Sequence, residues 1–335
     1  KLLLLLLLLL VVLLPHVRCQ LQCNAVSRQK RISIASPAAG QLSSLDSCQY
    51  AVAAWSAQVC QVRIDFERLE LPAPRLNASS QTLQCVDYLQ LQRFQLCGRN
   101  NGQHLYVQLQ QGEQLKLHFK LASHSAQSAW QLTLTQLECP AAPKQQTRRM
   151  LPPLLSSLLP RSIFGSQQLF PALRAPTLAD LQLLAPLGCD QYLRSASGGI
   201  VSFNFAGGVY MPSMKYSICI AGNSNQEISY NIQHFALSKF DSNATGAGYD
   251  ADCHSTVQTT GRAMDYLLIA NSYLASNPAV QPTYYCGHGL AGQQLIARAP
   301  FIIHFSSDAQ SSASETGFQL TYALRQAAAT QSNLI

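Results

Sequence analysis

The signatures of catalysis and metal binding are what this chain lacks. No C-x-x-C pair, no H-E-x-x-H and no G-x-S-x-G occurs in its 335 residues, and its eight histidines are scattered. Zinc sites draw on local ligand pairs, and hydrolase nucleophiles sit on recognisable turns, so both chemistries lose their usual sequence evidence. Glu67 and Glu70 lie on or beside a strand edge and read as solvated surface charge. No sustained helical period appears outside a proline-rich central stretch, which argues against a helical domain. After residue 14 no run is long and apolar enough to span a bilayer. These absences point to a non-catalytic protein.

The opening run "KLLLLLLLLLVVLL" has the charged start and apolar core of a secretory signal peptide, and is shorter than the ~20 residues a spanning helix needs. Val17 and Cys19 are small enough to precede a cut, which predicts a signal peptide over 1–19. Of the 11 cysteines, 10 then remain: 23, 48, 60, 85, 97, 139, 189, 219, 253 and 286. An even number in an exported chain predicts a full disulfide set. The expected location is secreted and extracellular, with no membrane attachment after cleavage.

The formal net charge of +7 is unevenly placed. Lys144, Arg148, Arg149, Arg161 and Arg174 stand in 141–187 against Asp180 alone, so the flanking halves are close to neutral and nucleic acid is not expected as a partner. The same span is cysteine-free and rich in proline, which predicts a linker between domains at 20–140 and 188–326, with a tail at 327–335. Its leucines offer an alternative, a short amphipathic segment docked on a domain. Arg148-Arg149 is either a processing site or a solubilising pair.

Both halves have the period-2 pattern of strands with one wet face. In "VCQVRIDFERLEL", Val62, Ile64 and Phe66 alternate with Gln61, Arg63, Asp65 and Glu67; "LKLHFKL" and "WQLTLTQL" behave alike. "ISYNI", "DYLLIA", "FIIHF" and "FQLTY" are the later strand candidates. Short strands separated by turn residues predict two antiparallel β-sandwiches.

"CGHGLAG" (286–292) admits three readings. As G-x-G-x-x-G it matches a dinucleotide fingerprint, yet only Gln293 to Ala299 precede Pro300, too few for a crossover helix. As a metal site, Cys286 and His288 lack a second ligand pair. The remaining reading makes Cys286 half of a disulfide.

From Cys189 onward the order of motifs is specific: "YSICI", "ISYNIQHFALS", Cys253, "DYLLIA", "YYCG", "PFIIHFSSD" and "TGFQLTY". This succession resembles the CUB domain, an extracellular jelly-roll-like β-sandwich, over about 189–324. "CQYAVAA", "RIDFERLEL", "CVDYLQL" and "LCGRNNGQHLYV" make the first half similar to a divergent member of the family. The whole chain resembles arthropod secreted proteins built of two such modules. The resemblance implies an all-β, disulfide-stapled pair of domains with bridges Cys23–Cys48, Cys85–Cys97, Cys189–Cys219 and Cys253–Cys286. It leaves Cys60 and Cys139 for each other, a third bridge outside the usual pattern.

Many CUB domains bind calcium through three acidic positions. Carried over, the second domain keeps Asp265 and Asp308 but has Ser238 at the third position. The first keeps Asp87 but has Pro72, with no aspartate near "LASHSAQSAW". Asp265 and Asp308 are thus a reduced calcium candidate, or simply acceptors that order loops. No other cofactor is implied. Asn77 and Asn243 open N-x-S/T sequons in polar loops and are expected to be glycosylated. The expected role is a secreted binding protein that engages an extracellular protein or glycan. The alternatives are a matrix or cuticle component, or a regulatory partner of a secreted protease.

Overall fold

The computed structural model describes residues 20–77, 79, 82–110, 112–140, 178–237, 265–279, 281, 283–310 and 314–327. They form two β-sandwiches, each of two five-stranded sheets, with an added hairpin, Arg75–Asn77 with Thr82–Gln84.

In the first sandwich one sheet runs Gln20–Leu21, Arg31–Ala35, Ala129–Glu138, Val59–Glu70, His104–Gln108. The other runs Val26–Ser27, Ser47–Ala53, Gln114–Leu121, Asp87–Leu91, Phe94–Leu96. Alternation in the sequence becomes burial in the fold: Leu115, Leu117, Phe119 and Leu121 face inward, as do Val62, Ile64 and Phe66. A register shift opposite Gln131/Leu132 inserts Glu67 as a bulge, so that Leu69 rejoins the inward set after Phe66. The core centres on Trp130, stacked on Phe119 at 4.0 Å, with its indole N–H donating to Tyr50 Oη at 3.2 Å. Each such large side chain contributes roughly 2–3 kcal/mol by leaving water.

The second sandwich repeats the plan. Gln191–Leu193, Lys215–Ile220, Ile302–Ser306, Tyr266–Ile269 and Tyr284–Tyr285 make one sheet. Ser197–Val201, Gly317–Gln326, Gln226–Ala236, Gln294–Arg298 and Ser272–Leu274 make the other. In both sandwiches a short strand enters parallel to its neighbour and the next three pairings are antiparallel. "CGHGLAG" lies in a corner: Gly287 (φ 72°) exchanges backbone hydrogen bonds with Leu237, and Leu290 is buried. The chain then enters strand Gln294–Arg298, antiparallel to Gln226–Ala236, so no βαβ crossover and no dinucleotide fold exists there.

Two details depart from the sequence reading. The end of the span read as linker is structured: Leu178–Leu183 is a short helix, and 183–185 pack on the first sandwich. Gln61, on the face expected to be wet, is 2% exposed for the same reason. Its side chain closes a two-way bond with Ala185, Nε2 to O at 2.7 Å and backbone N to Oε1 at 3.0 Å. Residues 141–177, with Arg148-Arg149, lie outside the described residues.

Candidate functional site

The polar side chains that long-range contacts organise lie where the two sandwiches meet. At the centre, the turn after Cys97 meets the loop 202–208. Asn204 is fully buried and holds a left-handed backbone (φ 61°), a conformation asparagine tolerates better than most residues. Its Oδ1 accepts the Arg99 backbone N–H at 2.9 Å, and its Nδ2 donates to Val209 O at 2.6 Å. Its own backbone N–H donates to Asn100 Oδ1 at 2.8 Å, while Asn100 Nδ2 donates to Cys97 O. Gly98 (φ 71°) presses against this clasp so closely that a Cβ there would lie 1.7 Å from Asn204 Oδ1. Only glycine meets both demands.

Beneath the clasp is an apolar seam. Phe203 faces Phe94 at 6.4 Å and Tyr216 at 4.9 Å between ring centroids. Met211 Sδ packs 3.5 Å from Cys85 Sγ and 3.7 Å from Cys97 Sγ.

On the other flank, strand His104–Gln108 lies beside Gln191–Leu193. Tyr106 N–H donates to Asp190 O at 2.8 Å, and His104 Nε2 accepts the Tyr192 N–H at 3.0 Å. Burial pushes the His104 imidazole down to about 4, with the Arg63 charge acting in the same direction, so the ring is neutral and able to accept. Asp190 pairs with Arg93 and accepts the Ser217 N–H at 2.8 Å, yet burial still holds its carboxyl above the ordinary carboxylate range. Arg93 is largely exposed, so the pair orders Asp190 more than it stabilises the fold. Residues 180–185 tie down the edge: Lys30 Nζ meets Asp180 Oδ2 at 2.6 Å, and Tyr106 Oη donates to Leu183 O at 2.9 Å.

Two openings flank the junction. One, of ≈ 630 Å³, is lined by Arg93, Phe94, Met211, Met214 and Lys215 among others. The other, of ≈ 1180 Å³, runs between the end of the first sandwich and the 206–207 turn of the second.

The sequence-predicted residues distribute as follows. Cys23–Cys48, Cys60–Cys139, Cys85–Cys97 and Cys189–Cys219 are bonded. Cys286 is disulfide-bonded, while Cys253 lies outside the described residues. Asn77 is half-buried on the Arg75–Asn77 strand, its Oδ1 accepting the Ser79 N–H at 2.9 Å; Asn243 lies outside the described residues.

Asp265 and Asp308 do come together, but through backbone. Asp265 is fully buried; its Oδ2 accepts Tyr210 Oη–H and its Oδ1 accepts the Asp308 N–H at 2.6 Å. Asp308 Oδ1 accepts the Gln310 N–H at 2.7 Å. Burial pushes Asp265 up to about 6 against both hydrogen bonds. A calcium ion needs six or more oxygen ligands, and Asp265 and Asp308 bring two carboxylates together here. Ser238, the third position, lies outside the described residues, and no group of three or more His, Cys, Asp or Glu is assembled among the described residues.

The junction residues were not legible beforehand. Nothing in "RNNG" or "FNFAGG" says that Asn100 and Asn204 interlock.

Residues 186–325 match the family model of the animal CUB domain. No curated protein matches the sequence. Among solved structures, the chain is similar to the CUB1-EGF-CUB2 domains of rat MASP-1, at 11% identity over 89% of this chain and 99% of that one, with a TM-score of 0.26. It is similar to the CUB1-EGF-CUB2 domain of human MASP-1/3, at 11% identity over 89% and 100%, with a TM-score of 0.23. The full extracellular region of zebrafish Gpr126/Adgrg6 is similar at 10% identity, over 94% of this chain and 38% of that one, with a TM-score of 0.24. With the strand order and Cys-Gly corner described above, the segment 186–325 belongs to the animal CUB domain family.

Proposed function

We propose that this is a secreted, glycosylated and non-catalytic protein that binds other extracellular molecules through two CUB-like sandwiches locked into one unit. The observation that carries this reading is the buried junction. Asn204, Asn100 and Gly98 interlock, and no group of three or more His, Cys, Asp or Glu is assembled among the described residues. A binding protein gains from such a lock because loops of both domains are held in one fixed arrangement before a partner arrives, which lowers the entropy cost of binding. The CUB match, the disulfides and the absence of a helix long and apolar enough to cross a membrane among the described residues support an extracellular setting.

The test is fractionation of the secreting tissue followed by quantitative capture on the immobilised full chain. Expected is a soluble protein that retains a saturable extracellular partner, and loses it when Asn204→Ala unlocks the junction. Recovery only in an insoluble matrix fraction would overturn the reading in favour of a structural component.

A further inference from the structure

The larger junction opening differs in character from the rest of the surface. Its charged lining is Arg68, Arg75 and Arg99 against Glu70 alone. Among the described residues no aromatic side chain lines it; the rest is mainly small, hydroxyl-bearing or proline. Its cationic groups are pre-set. Arg68 donates from Nε and Nη2 to Glu70 Oε2 at 2.8 and 2.6 Å, and Asn101 Nδ2 fixes the other Glu70 oxygen at 2.8 Å. The Asn101 amide and then Arg68 hold the Glu70 carboxyl below its usual range, so it stays ionised as the anchor. Arg99 is placed by the clasp, its backbone N–H on Asn204 Oδ1. Arg75 stands exposed on the added hairpin. Gly98 and Gly207 line the cleft where both are pressed against Asn204, so its shape exists only while the two sandwiches are joined.

We propose that this cleft binds a sulfated glycan chain. Guanidinium groups meet sulfate and carboxylate oxygens in pairs of parallel hydrogen bonds; with Arg68 paired to Glu70, Arg75 and Arg99 leave two uncompensated guanidinium charges in the lining, which suit a ligand with repeated anionic groups. At ≈ 1180 Å³ the space exceeds the ~300–1,000 Å³ of a small-molecule pocket and accommodates several sugar rings. Protein interfaces are anchored by buried aromatic or aliphatic side chains in pockets. A wide cleft lined by small residues and proline lacks such anchors, and Ser36, Ser125 and Gln127 supply polar groups for sugar hydroxyls.

The proposal rests on the binding role above and names a ligand class for it: a chain that captures extracellular proteins but ignores sulfated sugar fails here and not there. The experiment is titration calorimetry of the full, disulfide-intact chain with a heparin-derived octasaccharide at 0.15 M salt. Arg75→Ala/Arg99→Ala is expected to weaken binding about tenfold or more, since each substitution removes a charge-assisted contact. Arg28→Ala/Arg31→Ala removes equal charge from exposed positions outside the cleft and is expected to leave affinity unchanged. Unaltered near-UV circular dichroism establishes that both variants fold. No binding by the native chain overturns the proposal, as does equal weakening in both double variants. An octaglutamate peptide binding as tightly as the octasaccharide overturns the ligand class.

Discussion

Asp87 and Asp265 occupy matching places in the two sandwiches, each fully buried at the start of the strand that pairs with its sheet's central strand. Asp87 accepts the Ser123 N–H at 2.7 Å and the Ser123 hydroxyl at 2.6 Å. Asp265 accepts the matching backbone N–H, but from Asp308, so a second carboxylate stands where the first sandwich has a hydroxyl. The Cys-Gly corners diverge in the same way. Among the described residues Gly287 exchanges backbone bonds with Leu237 of its own sandwich, whereas Gly98 bonds to Leu71 and Pro72 and also grips Asn204 of the other one. One topology has therefore produced a cationic, junction-forming end and an acidic, self-contained end. The scaffold depends on the backbone acceptor role of the aspartate; the neighbouring side chain is free to set the charge.

The largest effect expected is on the first sandwich alone. Cys60–Cys139 spans 79 residues, and the second has no counterpart among the described residues. In the chain-entropy model such a loop is worth about 4–5 kcal/mol. Cys60→Ser/Cys139→Ser should lower the first unfolding transition in calorimetry and spare the second. A single shared shift would mean that the junction makes the two unfold as one.

Next in size is the junction. Asn204→Ala orphans the Arg99 N–H and places alanine at a positive φ, a combined cost of about 3 kcal/mol. Gly98→Ala should match it, through the 1.7 Å clash. Both should move the two transitions further apart and speed proteolysis between the sandwiches. Unchanged spacing of the transitions would show that the strand edge at His104 and Gln191 suffices to lock the pair.

The two regions should also respond oppositely to acid. His104, at about 4, lies below its unfolded value of 6.5, so the junction keeps this stability above pH 6.5 and loses it as pH falls toward 4. Asp265, at about 6, lies above its unfolded value of 3.8, so its contribution is greatest below pH 3.8 and is lost as pH rises through 6. Each amounts to about 3 kcal/mol. His104→Gln should flatten the acid loss of the junction, and Asp265→Asn the neutral-pH loss of the second sandwich, both read from melting temperatures between pH 4 and 7.5. Parallel trends in the two variants would refute the assignment.

Smallest is calcium. Because both Asp265 oxygens already accept hydrogen bonds, millimolar calcium should give no calorimetric heat. A heat that Asp308→Asn abolishes would mean that the loop rearranges to free those oxygens.

Alternation made the strands legible: Leu115, Leu117 and Phe119 turn inward as their spacing requires. The motif order around Cys189, Cys219 and Cys286 made the second domain recognisable. Gln61 shows where this stops. Its alternation places it on the wet face, and it is buried because residues 183–185 return across 124 positions to cover it. Proline and basic residues likewise made 141–187 read first as linker, with a docked leucine segment only as the alternative, because composition reports average solubility and not whether one short helix finds a surface.

The sequence by itself determined that the chain is β-rich, stapled by cysteines and free of recognisable catalytic motifs. Those properties are local or compositional: period-2 patterning, parity and the absence of short motifs. Only the tertiary structure decided that Gly98, Asn100 and Asn204 form one clasp, and that Arg68, Arg75 and Arg99 share one cleft. Contacts across a hundred residues depend on how two finished surfaces meet, and strand periodicity carries no record of that meeting.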